Sequence, residues 1–161
     1  MEITKQGSKI KIISGGQTGV YRAALDIAIK VGLEYGGFCP QGRLAEDGII
    51  PEKYKLTELN SPQYLDRTLE NVIIADGSLV IHKGIIEDGT LETIKYCQAF
   101  HKPYSKINLL ESLQQIQLNF DHWVKENNIT ILNVAGPRES DGPIYDRTIS
   151  LLGTILRRFR M

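Results

Sequence analysis

The chain is poor in the residues that staple or ligate a fold. Its two cysteines, Cys39 and Cys97, stand far apart with no C-x-x-C spacing, which argues against a disulfide framework and a structural zinc site. His82, His101 and His122 show no paired ligand spacing. No apolar run is long enough to span a bilayer, and residues 1–6 lack the apolar segment of a secretion signal. The 19 basic and 19 acidic residues give a formal net charge of zero, so no global field draws nucleic acid or an anionic membrane. G-x-S-x-G and H-E-x-x-H are missing, and no nucleophile stands out. The expectation is a cytoplasmic protein with no nucleic-acid partner, no membrane partner and no structural metal.

What is there suffices for one domain over residues 1–161. With 42% hydrophobic residues, a chain of this length buries on the order of 70% of its unfolded surface. Apolar runs alternate with helical periods. Residues 10–14, 35–39, 78–81, 104–109 and 130–135 read as strands. Helices are expected from about Val20 to the stop at Gly32, then over 63–75 with Pro62 near N1, 90–101, 111–127 and 144–160. This alternation predicts an α/β fold: a doubly wound, mostly parallel five-stranded sheet with helices on both faces, Rossmann-like. Residues 40–62 read as an unusually long loop rich in Gly, Pro and charge, and such loops tend to be functional.

The most telling motif is the turn Gly15-Gly16-Gln17-Thr18-Gly19 between the first strand and the first helix. Free amides at a helix N-terminus, together with the helix dipole, favour an anion. The glycines permit close approach, and Gln17 and Thr18 offer side-chain donors. Neither G-x-G-x-x-G nor G-K-[ST] is matched, which lowers a dinucleotide-redox or NTPase reading. Two further strand ends carry turns, residues 84–90 with Gly89 and Thr90, and residues 136–140 with Arg138, Glu139 and Ser140. In open parallel sheets such ends converge on ligand, so a phosphate-bearing ligand is expected here.

Arginine forks onto phosphate. Arg138, directly after a strand end, is the favoured ligand residue, whereas Arg22, Arg43 and Arg67 read equally as ligand residues or as surface and ion-pair residues. Cys39 reads either as a cleft thiolate or as a packed apolar residue. Glu46, Asp47, Glu139 and Asp141 read either as turn formers or as carboxylates available for acid–base work.

Those residues also carry a resemblance. Ser14-Gly15-Gly16-Gln17-Thr18-Gly19-Val20 with Arg22-Ala23-Ala24-Leu25-Asp26 resembles the opening signature of the molybdenum cofactor carrier proteins. So do Cys39-Pro40-Gln41-Gly42-Arg43, Ala45-Glu46-Asp47-Gly48, Pro51-Glu52-Lys53-Tyr54, Arg67-Thr68, Asn71-Val72, Gly89-Thr90 with Thr93, and Asn133-Val134-Ala135-Gly136-Pro137-Arg138-Glu139-Ser140. The resemblance implies a fold related to the lysine-decarboxylase-like, cytokinin-activating group and a homo-oligomer. It also implies binding of the phosphorylated molybdopterin cofactor, which is handed on to an acceptor molybdoenzyme. On this reading Gly15, Gly16, Gln17, Thr18, Gly19, Arg22, Arg43, Gly89, Thr90, Thr93, Arg138, Glu139 and Ser140 hold the ligand, and no residue is catalytic.

Two positions depart from the pattern. Tyr21 stands where the family usually has Asp. Thr93 stands where the catalytic cousins carry Glu, and Glu92 is about 100° away around a helix, which counts against N-glycoside hydrolysis. The alternatives that share the same phosphate pocket are a nucleotide N-glycosidase and a nucleotide sensor.

Overall fold

The computed structural model describes residues 9–86 and 88–159. Residues 1–6 and Arg160, which figured in the sequence reading, lie outside the described residues.

Among the described residues nine strands and five α-helices follow one another: β1 Lys11–Ile13, α1 Val20–Val31, β2 Glu34–Gly36, β3 Phe38–Cys39, β4 Leu44–Ala45, β5 Gly48–Ile49, β6 Thr57–Glu58, α2 Tyr64–Ile74, β7 Gly77–His82, α3 Asp88–Ala99, β8 Tyr104–Asn108, α4 Leu113–Glu126, β9 Ile131–Ala135 and α5 Tyr145–Ile155. Short 3-10 turns occupy Glu139–Asp141 and Arg157–Phe159. Among the described residues no helix is long and apolar enough to cross a membrane.

The central sheet has five strands in the order β2-β1-β9-β7-β8, and every pair in it is parallel. Counted from β7, this is the doubly wound order 2-1-3-4-5 entered at its fourth strand. Alternate side chains explain the two layers. Ile12, Leu79, Ile81, Leu132 and Val134 join Ala24 and Ile27 of α1, Ile116 and Phe120 of α4, and Leu152 and Ile155 of α5 in one buried cluster. Ser78 and Asn133 point to the opposite side, where α2 packs on α3, and the Asn133 amide donates to the Ser78 hydroxyl at 3.0 Å. The doubly wound, Rossmann-like α/β fold expected from the sequence is therefore the one observed, and the order reverses between β9 and β7.

Three local expectations change. The single strand expected over 35–39 divides at Gly37 into β2 of the main sheet and β3, which pairs with β6. Asn71 of α2 causes the departure by replacing a neighbouring strand: its side chain accepts from the Phe38 N–H at 2.8 Å and donates to the Phe38 carbonyl at 3.0 Å. The region over 40–62 is likewise no irregular loop. It forms the antiparallel hairpin β4–β5 and β6, packed on a second small core of Leu25, Cys39, Ala45, Ile50 and Tyr54. At the next helix Gln63 is the N-cap, so Pro62 precedes the cap and is not near N1.

Asp76, in the turn before β7, ties that strand to β9. Its carboxylate accepts from the Thr130 N–H at 2.9 Å, the Thr130 hydroxyl at 2.8 Å and the Ile131 N–H at 2.8 Å. Burial pushes its pKa up, but those hydrogen bonds outweigh burial and hold it below the ordinary aspartate value. A depressed folded-state pKa adds stability that is complete above the unfolded value and is lost as pH falls through the folded one. Asp76→Asn is therefore expected to cost about 1–3 kcal/mol at pH 7 and to flatten the loss of melting temperature between about pH 5 and pH 2. Thermal melts of both proteins across that range check this; parallel curves would show that Asp76 contributes no linked stability.

Candidate functional site

The carboxyl ends of β1, β7 and β9 open onto a cleft of about 280 Å³. Its walls come from separate elements: Gln17 and Tyr21 after β1, Tyr64, Arg67 and Thr68 of α2, Gly89 and Thr90 in the first turn of α3, and Gly136 and Arg138 after β9. This is where the ligand crevice of an open parallel sheet belongs, beside the reversal of strand order.

A knot of hydrogen bonds fixes the rim. The Glu46 carboxylate, carried in by the turn of the β4–β5 hairpin, accepts from the hydroxyls of Thr18 and Ser140 and from the Ser140 N–H at 3.1 Å, with Arg138 Nε at 3.8 Å. Burial raises its pKa, and the Ser140 and Thr18 hydroxyls more than reverse that, leaving it below the usual glutamate value. Gln17 Oε1 accepts from the Glu46 N–H at 2.8 Å and the Thr18 N–H at 3.1 Å, while Thr18 Oγ1 accepts from the Glu139 N–H at 3.1 Å. These hydrogen bonds tie the first turn, the hairpin and the third turn together.

Arg67 is the unusual group. It is only 4% exposed, and its guanidinium lies 4.9 Å from the Tyr21 ring centroid and 5.6 Å from that of Tyr64. Nε donates to the Tyr64 carbonyl at 3.3 Å, and Nη1 is buried with no partner among the described residues. Burial pushes its pKa down, yet arginine starts so high that it stays charged. Gly15 makes room for it: a Cβ there would stand 2.0 Å from Nη1. Arg67 is thus a desolvated cation with an unpartnered donor, in the wall of the same cleft as Arg138.

Comparison with known proteins gives the fold its lineage. Residues 12–156 match the circularly permutated YpsA SLOG family. The chain belongs to that family. A displaced starting point agrees with the strand order, which enters the 2-1-3-4-5 sheet at its fourth strand. The crystal structure of a protein from Syntrophus aciditrophicus SB, to which a molybdenum carrier role is ascribed, superposes with a TM-score of 0.91 at 42% identity, over 94% of this chain and 98% of that one. None of the curated proteins compared matches the chain.

Within this SLOG chain the residues picked out from sequence divide into three groups. Gln17, Gly89, Thr90 and Arg138 line the cleft. Thr18, Glu139 and Ser140 join the turns, and the Glu139 carboxylate caps α5 by accepting from the N–H groups of Ile144 at 2.8 Å and Tyr145 at 3.1 Å. The backbone of the first turn is partly spent: the Gly16 N–H donates to Ser14 Oγ at 3.3 Å, and the Val20 N–H, just after Gly19, donates to the Pro137 carbonyl at 3.1 Å.

The third group lies elsewhere. Arg22 holds Asp47 at 3.0 Å and the Gly16 carbonyl. Arg43 clamps the carbonyls of Ile50, Pro51 and Tyr54 and lines a separate groove with Glu52, Lys55 and Leu56. Each guanidinium is engaged by protein partners, Arg22 by the hairpin and the first turn and Arg43 by residues 50–54, and neither lines the cleft. Thr93 is fully buried, with an unpartnered hydroxyl, and is not part of the cleft wall. Cys39 sits in the second core, its thiol pKa raised by burial, so it is no cleft thiolate.

Sequence reasoning left Arg67 undecided and passed over Tyr64 and Thr68 as cleft residues. The available signal was their place in the first turns of a helix that starts just beyond the Gly/Pro-rich segment.

Proposed function

We propose that the protein binds the phosphorylated molybdopterin cofactor and carries it without acting on it. The observation that supports this most is the buried guanidinium of Arg67, a cleft residue whose Nη1 has no hydrogen-bond partner and which forms no ion pair among the described residues. Arg138 adds a second guanidinium, its Nε 3.8 Å from both Glu46 and Asp141, and the first turn of α3 adds amides. Tyr21 and Tyr64 supply aromatic surface beside the phosphate site, which suits a ligand with a planar ring. The molybdenum carrier role ascribed to the Syntrophus protein is in keeping with such a cargo. In this reading the protein is a cytoplasmic homo-oligomer that passes the cofactor to an acceptor molybdoenzyme, and it needs no metal of its own.

Carboxylate chemistry fits the cleft poorly. Asp141, the carboxylate in the cleft wall, is engaged by the Arg138 N–H at 3.3 Å and by Arg138 Nε at 3.8 Å; Glu46 is held by three donors, Glu139 caps a helix, and Thr93 occupies the position of the glutamate in the catalytic cousins. Native mass spectrometry of protein purified from its own source is expected to show a phosphorylated pterin bound in stoichiometric amount. Incubation with a panel of nucleoside monophosphates is expected to release no base. Steady release of free base would replace the carrier with an N-glycosidase, and a bound nucleotide without turnover would replace it with a sensor.

A further inference from the structure

We infer that Asp141 selects the ring of the bound molecule: its carboxylate accepts from the paired N–H groups of an amino-pyrimidinone, the edge that a pterin shares with guanine. The inference rests on the reading of the cleft as a site for a phosphorylated ring, and it names the residue that tells one such ring from another.

Asp141 is the acidic residue among the described residues that line the cleft. It closes the 3-10 turn after β9, where its Oδ2 accepts from the Arg138 N–H at 3.3 Å and its own N–H donates to the Arg138 carbonyl at 3.0 Å. That reciprocal cap holds the side chain in place. A carboxylate has about four acceptor positions on its two oxygens, so one backbone N–H leaves most of them unspent, and the side chain stays 33% exposed. Arg138 Nε, at 3.8 Å from Oδ2, is too far for a hydrogen bond. The neighbouring acids differ. Glu46 is taken by three donors, and each oxygen of Glu139 takes an N–H at the start of α5.

The chemistry of the spare acceptors decides what they take. Two parallel N–H donors on one carbon match the two oxygens of a carboxylate, the geometry that makes the arginine–carboxylate fork. An amino-pyrimidinone presents the same pair, a ring N–H and a 2-amino group, with a carbonyl beside them; adenine has an acceptor nitrogen and an amino group on that side. Gln17 answers the carbonyl. Its Oε1 is taken by the N–H groups of Thr18 and Glu46, which orients the amide and leaves Nε2 as a donor with no partner among the described residues. Gln17 is 3% exposed and lines the same cleft. Glu46 joins the two residues: its N–H binds Gln17, and its carboxylate takes the N–H of Ser140, next to Asp141. An oriented amide donor and a carboxylate with spare acceptors thus share one wall, and the phosphate falls to Arg67, Arg138 and the α3 amides of the same cleft.

Calorimetric titration of the full chain with inorganic phosphate and with the 5′-monophosphates of guanosine, inosine, adenosine and xanthosine, at fixed ionic strength, reads this selectivity. Wild type is expected to bind the guanosine nucleotide about tenfold or more tightly than the inosine nucleotide, which lacks the 2-amino group, and than the adenosine nucleotide. Asp141→Asn keeps an acceptor for the Arg138 N–H but exchanges the other for a donor. Its preference for guanosine over inosine should fall to about twofold or less, while the xanthosine nucleotide, with a carbonyl in place of the 2-amino group, should gain about tenfold relative to the guanosine nucleotide. Loss of a charge beside Arg138 shifts every anionic ligand alike, so a merely structural Asp141 would leave these ratios unchanged. Equal binding of the guanosine and inosine nucleotides by wild type, or unchanged ratios in Asp141→Asn, overturns the inference while the phosphate site stands. Should Asp141→Asn fail to fold, the wild-type ratios decide alone. Absence of binding of every probe, inorganic phosphate included, to wild type overturns the phosphate reading of the cleft, and the inference with it.

Discussion

Replacing Arg67 with methionine is expected to leave the protein at least as stable as wild type while lowering its affinity for phosphate by about 30-fold or more. The two halves of this expectation have one cause. Arg67 is 4% exposed and forms a single hydrogen bond through Nε, so most of its lost hydration is unreturned in the free protein. An isolated buried charge carries a penalty of several kcal/mol, and the two stacked rings offset about 1–2 kcal/mol each at best. Methionine has comparable length, fits irregular spaces and makes favourable contacts with aromatic rings. The substitution should therefore raise stability by about 1 kcal/mol, or 2–4 °C in a chain of this size. Binding moves the other way, since charge-assisted hydrogen bonds contribute about 1.5–3 kcal/mol each. Urea unfolding and calorimetric titration with phosphate, run on the same preparations, give the two signs. A loss of stability above about 2 kcal/mol would make Arg67 a structural tie and remove the central support for an anion site.

The contrast between Arg67 and Arg22 shows where sequence reading stops. Both lie about one turn into a helix whose N-terminus faces the carboxyl edge of the sheet, and composition around them does not separate the two. The difference is made by residues distant in sequence. Arg22 meets Asp47 from the hairpin at 3.0 Å, and Arg67 meets the rings of Tyr21 and Tyr64. Periodicity and turn chemistry are local properties, so the five main strands, the five helices and the turn over 15–19 were visible before any coordinates. The hairpin β4–β5 was not, because two-residue strands such as Leu44–Ala45 and Gly48–Ile49 leave no periodic trace. Glu46 illustrates the same limit. It read as a turn former or a free carboxylate, yet it is the residue that binds Thr18 and Ser140, 28 and 94 positions away. The break at Gly37 depended on Asn71, whose amide mimics a strand only once α2 has docked.

The same substitution, glycine to alanine, is expected to have opposite effects at two of the turns that frame the cleft. Gly19 has φ +71°, and an added Cβ would lie 2.5 Å from the Pro137 carbonyl oxygen and 2.8 Å from backbone atoms of Arg138 and Glu139. These are main-chain atoms that cannot rotate aside. The third turn must withdraw from the first, taking with it the bonds from Val20 to Pro137, Glu139 to Thr18 and Ser140 to Glu46. Backbone at φ +71° and ψ −127°, a region that glycine alone adopts readily, costs an alanine about 1–3 kcal/mol; with the clash and the lost bonds, Gly19→Ala should cost about 3–5 kcal/mol and lower the urea midpoint by roughly 2 M. Gly89 also borders the cleft, but it lies inside α3 and no atom stands within 4 Å of its added Cβ. There alanine should stabilise by about 0.5–1 kcal/mol, through helix propensity and a less mobile unfolded chain. Equal midpoints for the two variants would mean that the first and third turns are not locked together, and that the position of Arg138 over the cleft is not fixed by the glycine turn beneath it.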